Sequence, residues 1–325
     1  MTEIKICTPD EVDLQAYADM QQESFRELLA EMGVSGDFMT PEFYRWKYNP
    51  PSGPAKVILG LKEDRIVTAT MLQPLVLRHQ GRRFTAWQNG DTATLAEFRC
   101  LGLYPRCMKA AVRSVQEDEL LFGFPNKNSI RGFSFFVKTG KGVVRLLAKL
   151  HLRPSWLSRS TDCTRVTSFL GGDFAFDFSD LSSDELPVME KTPAYLEWRY
   201  LQHPVHQYHA FVRRDPSGAI RAIAVLREAE IRGKKATMVM ELLGRDVRSM
   251  RRVLHHALAE AKTSRILMAY NTALTRGCAF RLGFVTVPMR FIPKQQSLFA
   301  SANGVDAQAV LALPWQLQMG DWDGF

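Results

Sequence analysis

Residues 40–48 read Thr-Pro-Glu-Phe-Tyr-Arg-Trp-Lys-Tyr, and a closely similar stretch, Thr-Pro-Ala-Tyr-Leu-Glu-Trp-Arg-Tyr, occupies residues 192–200. The same offset of 152 residues relates Gly81-Arg82-Arg83 to Gly233-Lys234-Lys235. A third block, Asn126 to Phe135, matches Asn271 to Phe280 in the spacing of its Asn, Arg-Gly and Phe residues. Three similar blocks in one order indicate that the chain contains two copies of one structural unit.

Each copy predicts the same order of elements. A Thr-Pro pair begins a short helix, with Thr as the N-cap and Pro at the first helical position. Hairpins follow, and then a helix, a strand and a last short helix. The predicted helices and strands are 10–32, 56–62, 65–78, 83–94, 105–117 and 120–124 in copy one, and 208–213, 220–231, 247–262 and 265–270 in copy two.

Antiparallel strands that lead into a strand–helix–strand unit predict a mixed, mostly antiparallel sheet with helices on both faces, which is an α/β fold. A length of 325 residues suits two domains. The Gly- and Ser-containing stretch between about 150 and 190 places the boundary there. We therefore expect domains at 1–152 and 153–325.

Composition excludes several classes of protein. With 46% hydrophobic and 23% charged residues, the chain is typical of a globular protein and not of a disordered or membrane-spanning one. No signal peptide is visible, and five cysteines without framework spacing predict free thiols in the cytoplasm. Of the net charge of +8, residues 97–149 contribute ten basic and four acidic side chains, which favours an anionic ligand near this segment.

Residues 91–104 read Asp-Thr-Ala-Thr-Leu-Ala-Glu-Phe-Arg-Cys-Leu-Gly-Leu-Tyr. A strand that ends near Thr94 is followed by a loop containing Arg99-x-x-Gly102, which leads into the helix predicted from Pro105. The first N–H groups of a helix have no intrahelical acceptor and lie at the positive end of its dipole. Gly102 allows a ligand to approach the backbone closely. The segment therefore predicts an anion site for a pyrophosphate.

This strand–loop–helix segment resembles the acyl-CoA pyrophosphate loop of the GNAT N-acyltransferase superfamily, whose pattern is Gln/Arg-x-x-Gly-x-Gly/Ala. Tyr104 departs from the last position of that pattern. Residues 123–133 resemble the strand and loop that lie across CoA in one branch of the superfamily, and the duplication resembles tandem-GNAT proteins. The matching place in copy two, residues 242–249, has no Arg-x-x-Gly, so we expect only copy one to bind acyl-CoA.

The resemblance implies an N-acyltransferase that moves an acyl group, acetyl first among the candidates, from acyl-CoA to a small amine such as an amino sugar. It implies that backbone N–H groups at Thr92–Thr94 face the thioester arm. The resemblance does not identify the general base; Asp91, at a strand position where a carboxylate could act through water, is the candidate. The residues implied at the cofactor are Thr92, Ala93, Thr94, Arg99, Cys100, Leu101, Gly102, Leu103, Tyr104, Asn126 and Ser129.

Two other functions stay open on sequence alone. A FemAB-like aminoacyl transferase duplicates the same fold and takes aminoacyl-tRNA, although it does not need the Arg-x-x-Gly loop. A non-catalytic GNAT-like binding protein fits the lost loop of copy two. We expect neither a metal nor a membrane partner. His203-x-x-His206-x-x-His209 runs from a loop into a strand, where positions three apart point to opposite faces.

Overall fold

The computed structural model describes residues 2–32, 35–125, 129–137, 139–150, 160–171, 174, 176–182, 185–231, 233–270, 273–288 and 296–321. In chain order its helices and strands are β1 (Glu3–Cys7), α1 (Leu14–Met32), α2 (Pro41–Lys47), β2 (Lys56–Lys62), β3 (Arg65–His79), β4 (Arg82–Thr94), α3 (Leu103–Arg113), β5 (Leu120–Gly123), α4 (Ile130–Phe136), β6 (Thr139–Leu150), β7 (Cys163–Val166), α5 (Phe178–Leu181), β8 (Val188–Met189), α6 (Pro193–Leu196), β9 (Tyr208–Arg214), β10 (Ile220–Ile231), β11 (Lys234–Gly244), α7 (Val247–Glu260), β12 (Arg265–Tyr270), α8 (Ala273–Arg281), β13 (Val285–Thr286), β14 (Gln296–Ala302) and α9 (Val305–Ala312).

The chain divides into two compact units that alternate along the sequence. Unit 1 comprises Met1–Leu77, Arg83–Gly142 and Gln296–Leu313, and unit 2 comprises Arg78–Arg82, Val143–Gln295 and Pro314–Phe325. Unit 1 therefore takes a late segment of the chain, including β14, which pairs antiparallel with β5. In unit 2, residues 145–150 of β6 pair antiparallel with β12. The division at residue 152 stays a prediction about the two sequence copies.

Each unit contains a mixed sheet, as the sequence predicts. The strand order is β1-β2-β3-β4-β5-β14 in unit 1 and β6-β12-β11-β10-β9-β7 in unit 2. The pairs β4·β5 and β11·β12 are parallel. The pairs β1·β2, β2·β3, β9·β10, β10·β11 and β7·β9 are antiparallel. The fold class is thus the expected mixed α/β arrangement.

Helices cover both faces of the unit 1 sheet. Val67, Ala69 and Met71 of β3 pack into a core with residues of α1 and α2. Leu72, on the opposite face of the same strand, packs into a second core with Met108 of α3 and other apolar residues. Successive strand side chains point to opposite faces, so a strand that is buried along its length supplies both cores.

The Thr-Pro pairs begin helices in both units as predicted. Thr40 accepts a hydrogen bond from the N–H of Phe43 at the start of α2, and Thr192 accepts one from the N–H of Tyr195 at the start of α6. Trp198 is buried in unit 2, and Trp46 is half-buried against the α1–α2 core. These environments explain the tryptophans of the repeated motif by packing.

Candidate functional site

The parallel strands β4 and β5 stop pairing well before β4 ends. Their pairing runs from Ala86↔Leu120 to Asn89↔Gly123, where β5 ends, whereas β4 continues to Thr94. Asp91, two residues past the last pair, has a φ of 46°, which a non-glycine residue seldom adopts. Residues 90–94 of β4 therefore extend past β5 in a distorted stretch of strand.

After residues 95–101, which include a 3-10 turn at Ala96–Phe98, the chain forms a helix N-terminus without a side-chain cap. Gly102 is the N-cap of α3 with a φ of 72°, and α3 begins at Leu103. The predicted start at Pro105 was therefore two residues late. Pro105 lies within the first turn, where its missing N–H is not needed. The N–H groups of Leu103 and Tyr104 belong to that turn, so they have no intrahelical acceptor and lie at the positive end of the helix dipole.

Gly102 leaves this helix end accessible. A Cβ placed on Gly102 meets no atom within 4 Å, so the glycine faces open space. The preceding Leu101 is 63% exposed, and Cys100 is an exposed free thiol with a φ of 64°. Leu103, in contrast, is buried in the α1–α2 core. The loop thus turns its backbone to the surface while Leu103 anchors the helix.

Arg99 ties this loop to its surroundings. Its Nε donates to the carbonyl of Thr94 at 3.2 Å, and one terminal nitrogen donates to the carbonyl of Ser24 on α1 at 3.3 Å. Two of the five N–H donors of a guanidinium are used in this way. The Arg99 side chain therefore fixes the loop before α3 against α1 and places a positive charge on the exposed side of that loop.

The predicted strand residues 92–94 are held by β3. The hydroxyls of Thr92 and Thr70 lie 2.6 Å apart, and those of Thr94 and Thr68 lie 2.8 Å apart. The Thr68 hydroxyl also donates to the carbonyl of Ala93 at 2.9 Å. These contacts fix the two threonine side chains to the neighbouring strand and so hold the backbone of β4 in place beyond the end of β5.

Asp91 lies in a buried polar network. Its Oδ1 accepts from Lys47 Nζ at 2.7 Å and its Oδ2 accepts from the hydroxyl of Tyr48 at 2.8 Å. The hydroxyls of Tyr48 and Tyr17 lie 2.7 Å apart, and Gln21 donates both to Tyr17 and to the carbonyl of Asp91. Burial, together with the negative charge of Asp91, raises the pKa of the Tyr17 phenol and that of the Tyr48 phenol well above the usual value for tyrosine.

Sequence reasoning missed the partners of Asp91. Lys47 and Tyr48 belong to the repeated Thr-Pro motif, from which the sequence predicts only a short helix. Lys47 is 5% exposed in its side chain and Asp91 is 17% exposed. A lysine among apolar residues is a signal that could have been used, because lysine is almost never fully buried unless paired.

The remaining predicted residues lie on α3 and α4. Tyr104 packs against Gly132 of α4, where an added Cβ would lie 2.6 Å from the ring. Burial raises the pKa of Tyr104 to about 12, so the phenol stays neutral at physiological pH. Ser129 precedes α4 as its N-cap and makes no side-chain capping bond. Asn126 lies outside the described residues.

The corresponding helix in unit 2 has a different N-terminus. Asp246 is the N-cap of α7, and its Oδ1 accepts from the N–H of Ser249 at 2.7 Å. Its Oδ2 accepts from the Ser249 hydroxyl at 2.6 Å. Burial opposes ionisation, but the hydrogen bonds from Ser249 outweigh it and lower the pKa of Asp246. A carboxylate of the chain thus takes the position that a bound anion would need.

The histidines of the 203–209 motif have other partners. His203 Nδ1 accepts from the N–H groups of Val205 and His206, which shapes a turn. His209 Nδ1 lies 2.6 Å from a terminal nitrogen of Arg165. Within the residues described above, no group of three or more His, Cys, Asp or Glu side chains is arranged to hold a metal ion. Among the described helices, none has the length and apolar character needed to span a bilayer.

Comparison with solved structures shows a GNAT-like fold. A conserved protein of Enterococcus faecalis V583, described as a probable N-acyltransferase, has a TM-score of 0.67 at 11% identity, covering 94% of this chain and 74% of its own. A GCN5-related N-acetyltransferase from Anabaena variabilis has a TM-score of 0.62 at 9% identity, with coverages of 94% and 74%. N-myristoyltransferase of Saccharomyces cerevisiae with bound myristoyl-CoA has a TM-score of 0.57 at 11% identity, with coverages of 91% and 82%.

Neither a protein-family model nor a curated protein sequence matches the chain. At these identities the similarity is one of fold. It confirms the mixed sheets and the GNAT-like fold that the sequence predicts.

Proposed function

We propose that unit 1 is an acyl-CoA-dependent N-acyltransferase that acts on the amine of a small molecule, in the cytoplasm. The observation that carries the proposal is the open N-terminus of α3, directly after the stretch of β4 that extends past β5. An exposed glycine N-cap, two first-turn N–H groups and a nearby guanidinium suit a pyrophosphate. The GNAT-like fold, shared with a transferase solved with myristoyl-CoA, supports the same ligand.

The proposed binding mode follows the backbone. The pyrophosphate accepts hydrogen bonds from the N–H groups of Gly102, Leu103 and Tyr104, with Arg99 adding charge. The amide-containing arm runs along β4 from Thr94 toward Thr92, where β5 no longer covers the strand. Ser129 at the start of α4 faces the arm from the other side. The thioester then lies near Asp91, at the point where the two strands separate.

The reaction is a direct transfer. The neutral amine attacks the thioester carbonyl carbon, the C–S bond breaks, and the amine proton and the thiolate must both be accounted for. We assign the proton to Asp91, which takes it through a water molecule and returns it by the same route to the thiolate, so that CoA leaves as the thiol and Asp91 is again a carboxylate. Lys47 and Tyr48 hold the carboxylate in position from the opposite side. A backbone N–H of β4 stabilises the oxyanion.

A pair of substitutions at Gly102 tests the pyrophosphate site. Asp and Asn have nearly the same size, and Asn tolerates positive φ, so Gly102→Asn controls for the side chain while Gly102→Asp adds a negative charge. Two like unit charges about 5 Å apart at an effective dielectric constant of about 20 repel by roughly 3 kcal/mol, which is about a hundredfold in affinity.

The measurement is calorimetric titration with CoA itself, because its pyrophosphate is common to every acyl-CoA. We expect saturable binding to the wild type, an affinity within about tenfold for Gly102→Asn, and a loss of about a hundredfold for Gly102→Asp. The proposal fails if the wild type binds no CoA, or if both variants lose the same affinity. CoA binding without thiol release from acetyl-CoA across a panel of amines would favour the non-catalytic alternative.

A further inference from the structure

Strand β11 of unit 2 also extends past its parallel neighbour. Its pairing with β12 runs from Thr237↔Ile266 to Val239↔Met268, whereas β11 continues to Gly244. The strand carries a bulge directly after the last pair, where the register with β10 shifts. Unit 2 therefore has the same separation of parallel strands that unit 1 has after Asn89.

The C-terminal segment 314–321 fills this place. The N–H of Leu242, three residues past the last pair, donates to Gln318 Oε1, and Gln318 Nε2 donates to the carbonyl of Leu242 at 3.0 Å. The side-chain amide thus bonds the edge of β11 as a neighbouring strand would. Counted in the same way from the last pair of β4, the equivalent residue of unit 1 is Thr92.

The segment is firmly seated. The N–H of Gln316 donates to the carbonyl of Pro187 at 2.7 Å, and the N–H of Gln318 donates to Asp321 Oδ2 at 2.7 Å. The apolar side chains of the segment are buried, namely Trp315, Leu317 and Met319. The segment is therefore anchored from Trp315 to Asp321.

Buried charges surround the inserted amide. Lys191 contacts Asp321, and its Nζ lies 3.1 Å from Glu241 Oε1, which also accepts from the hydroxyl of Tyr200 at 2.6 Å. Glu241 stands two residues past the last pair of β11, as Asp91 does in β4. Tyr200 occupies the position in its sequence copy that Tyr48 occupies in the first. Burial raises the pKa of Glu241, although Lys191 opposes that rise.

Gly320 shows how closely the segment fits this cluster. A Cβ on Gly320 would overlap the Tyr200 hydroxyl oxygen and lie 2.5 Å from Glu241 Oε1. Such proximity leaves no room for a methyl group without moving buried polar atoms. The backbone at Gly320 therefore lies directly on the pair that corresponds to Tyr48 and Asp91.

We propose that unit 2 retains an amide-binding site at the edge of β11, and that its ligand is the chain's own C-terminal segment, with the Gln318 side chain in the place that an amide group of acyl-CoA takes in unit 1. The parallel with unit 1 rests on the proposed function, whereas the site in unit 2 stands on its own contacts. The consequence is one acyl-CoA site per chain, because Gln318 closes the strand edge and Asp246 closes the helix end.

Chemical rescue tests the proposal. Gln318→Ala removes the part of the side chain that acetamide reproduces, and Gln316→Ala is the control in the same segment. Amide hydrogen exchange at Leu242 should accelerate at least tenfold in Gln318→Ala and remain unchanged in the control. Acetamide at high millimolar concentration should restore protection in Gln318→Ala alone, and acetate of the same shape should not.

The proposal is overturned if exchange at Leu242 does not change, or if acetamide acts equally on the wild type and on both variants. Should Gln318→Ala fail to fold, Gln318→Met keeps the volume without the amide, and the same acceleration at Leu242 is expected. Each readout concerns unit 2 in the absence of CoA. Failure here is therefore distinguishable from a failure of CoA to bind at Gly102.

Discussion

Replacing Lys47 by methionine should move the acidic limb of the pH–rate profile to higher pH. Lys47 Nζ lies 2.7 Å from Asp91 Oδ1, and both side chains are largely buried. A cation beside a carboxylate favours the charged form, so removing it makes Asp91 harder to deprotonate. If Asp91 accepts the amine proton, the enzyme variant then needs a higher pH to reach half of its maximal rate.

The size of the shift follows from the distance. Unit charges centred about 4 Å apart interact by roughly 4 kcal/mol at an effective dielectric constant of about 20, which corresponds to about three pH units. The hydrogen bond from Tyr48 remains, and water entering beside the shorter, uncharged methionine side chain would screen the carboxylate. We therefore expect a shift of roughly one to three pH units, the range seen for an adjacent opposite charge.

The assay is thiol release from acetyl-CoA, with kcat/KM recorded from about pH 5 to 9. Arg45→Met is the matched control. Arg45 lies on the same helix and is exposed, and the substitution removes the same positive charge. Its profile should stay within a few tenths of a unit of the wild type. Asp91→Asn should lower the rate at every pH.

A stability measurement separates catalysis from folding. Leaving a buried carboxylate without its cation costs about 3–5 kcal/mol, less here because Asp91 is 17% exposed. Lys47→Met should therefore unfold at lower urea concentration whatever Asp91 does in the reaction. If stability falls while the acidic limb stays in place, Asp91 is a structural anchor and its assignment as the base is wrong.

Two further predictions concern packing and charge. Gly132→Ala should destabilise unit 1 by about 1–3 kcal/mol and weaken CoA binding, because the added Cβ would lie 2.6 Å from the Tyr104 ring. Gly277→Ala is the control, since a Cβ there meets no atom within 4 Å. In urea unfolding this control should be neutral or slightly stabilising. Asp162 has its pKa lowered to about 2 because hydrogen bonds from Ser160 and two arginines outweigh burial. The contribution of Asp162 to the free energy of unfolding is at most about 2 kcal/mol, because the group is partly exposed. It is present above about pH 4 and lost as the pH falls toward 2. The free energies of unfolding of wild type and Asp162→Asn should therefore converge in acid.

Local patterns predicted seven strands to within a residue, namely β2, β3, β4, β5, β9, β10 and β12, whereas the other strands have no predicted bounds. The turns Glu63-Asp64 and Gln80-Gly81 each place two residues at positive φ, as two-residue hairpins require. The strands β2 and β10 have the predicted bounds. Alternating side chains and a tight turn are properties of neighbouring residues, so they can be read without knowledge of the rest of the chain.

Long-range partners could not be predicted in this way. The pairing of β14 with β5 joins residues that lie far apart in sequence, and nothing in either strand specifies the other. The contact of Lys47 with Asp91 has the same character, since a short amphipathic helix shows which residue is buried but not which carboxylate it meets. The uncapped N-terminus of α3 was predictable because Gly102 and α3 are adjacent in the chain.

Under the proposed function, the two units differ where a single acyl-CoA site per chain requires them to differ. In both, parallel strands separate, and a tyrosine of the repeated motif donates to the carboxylate that lies two residues past the last strand pair. The units differ at two places. At the helix N-terminus, unit 1 has Gly102 and unit 2 has Asp246. At the strand edge, Gln318 bonds Leu242 in unit 2, whereas the equivalent residue of unit 1 is Thr92. Each side chain that closes unit 2 resembles the group proposed to bind in unit 1. The carboxylate of Asp246 corresponds to the anion, and the amide of Gln318 corresponds to an amide of the acyl-CoA arm. Under the two proposals, the side chains that close unit 2 therefore have the chemistry of the ligand expected in unit 1.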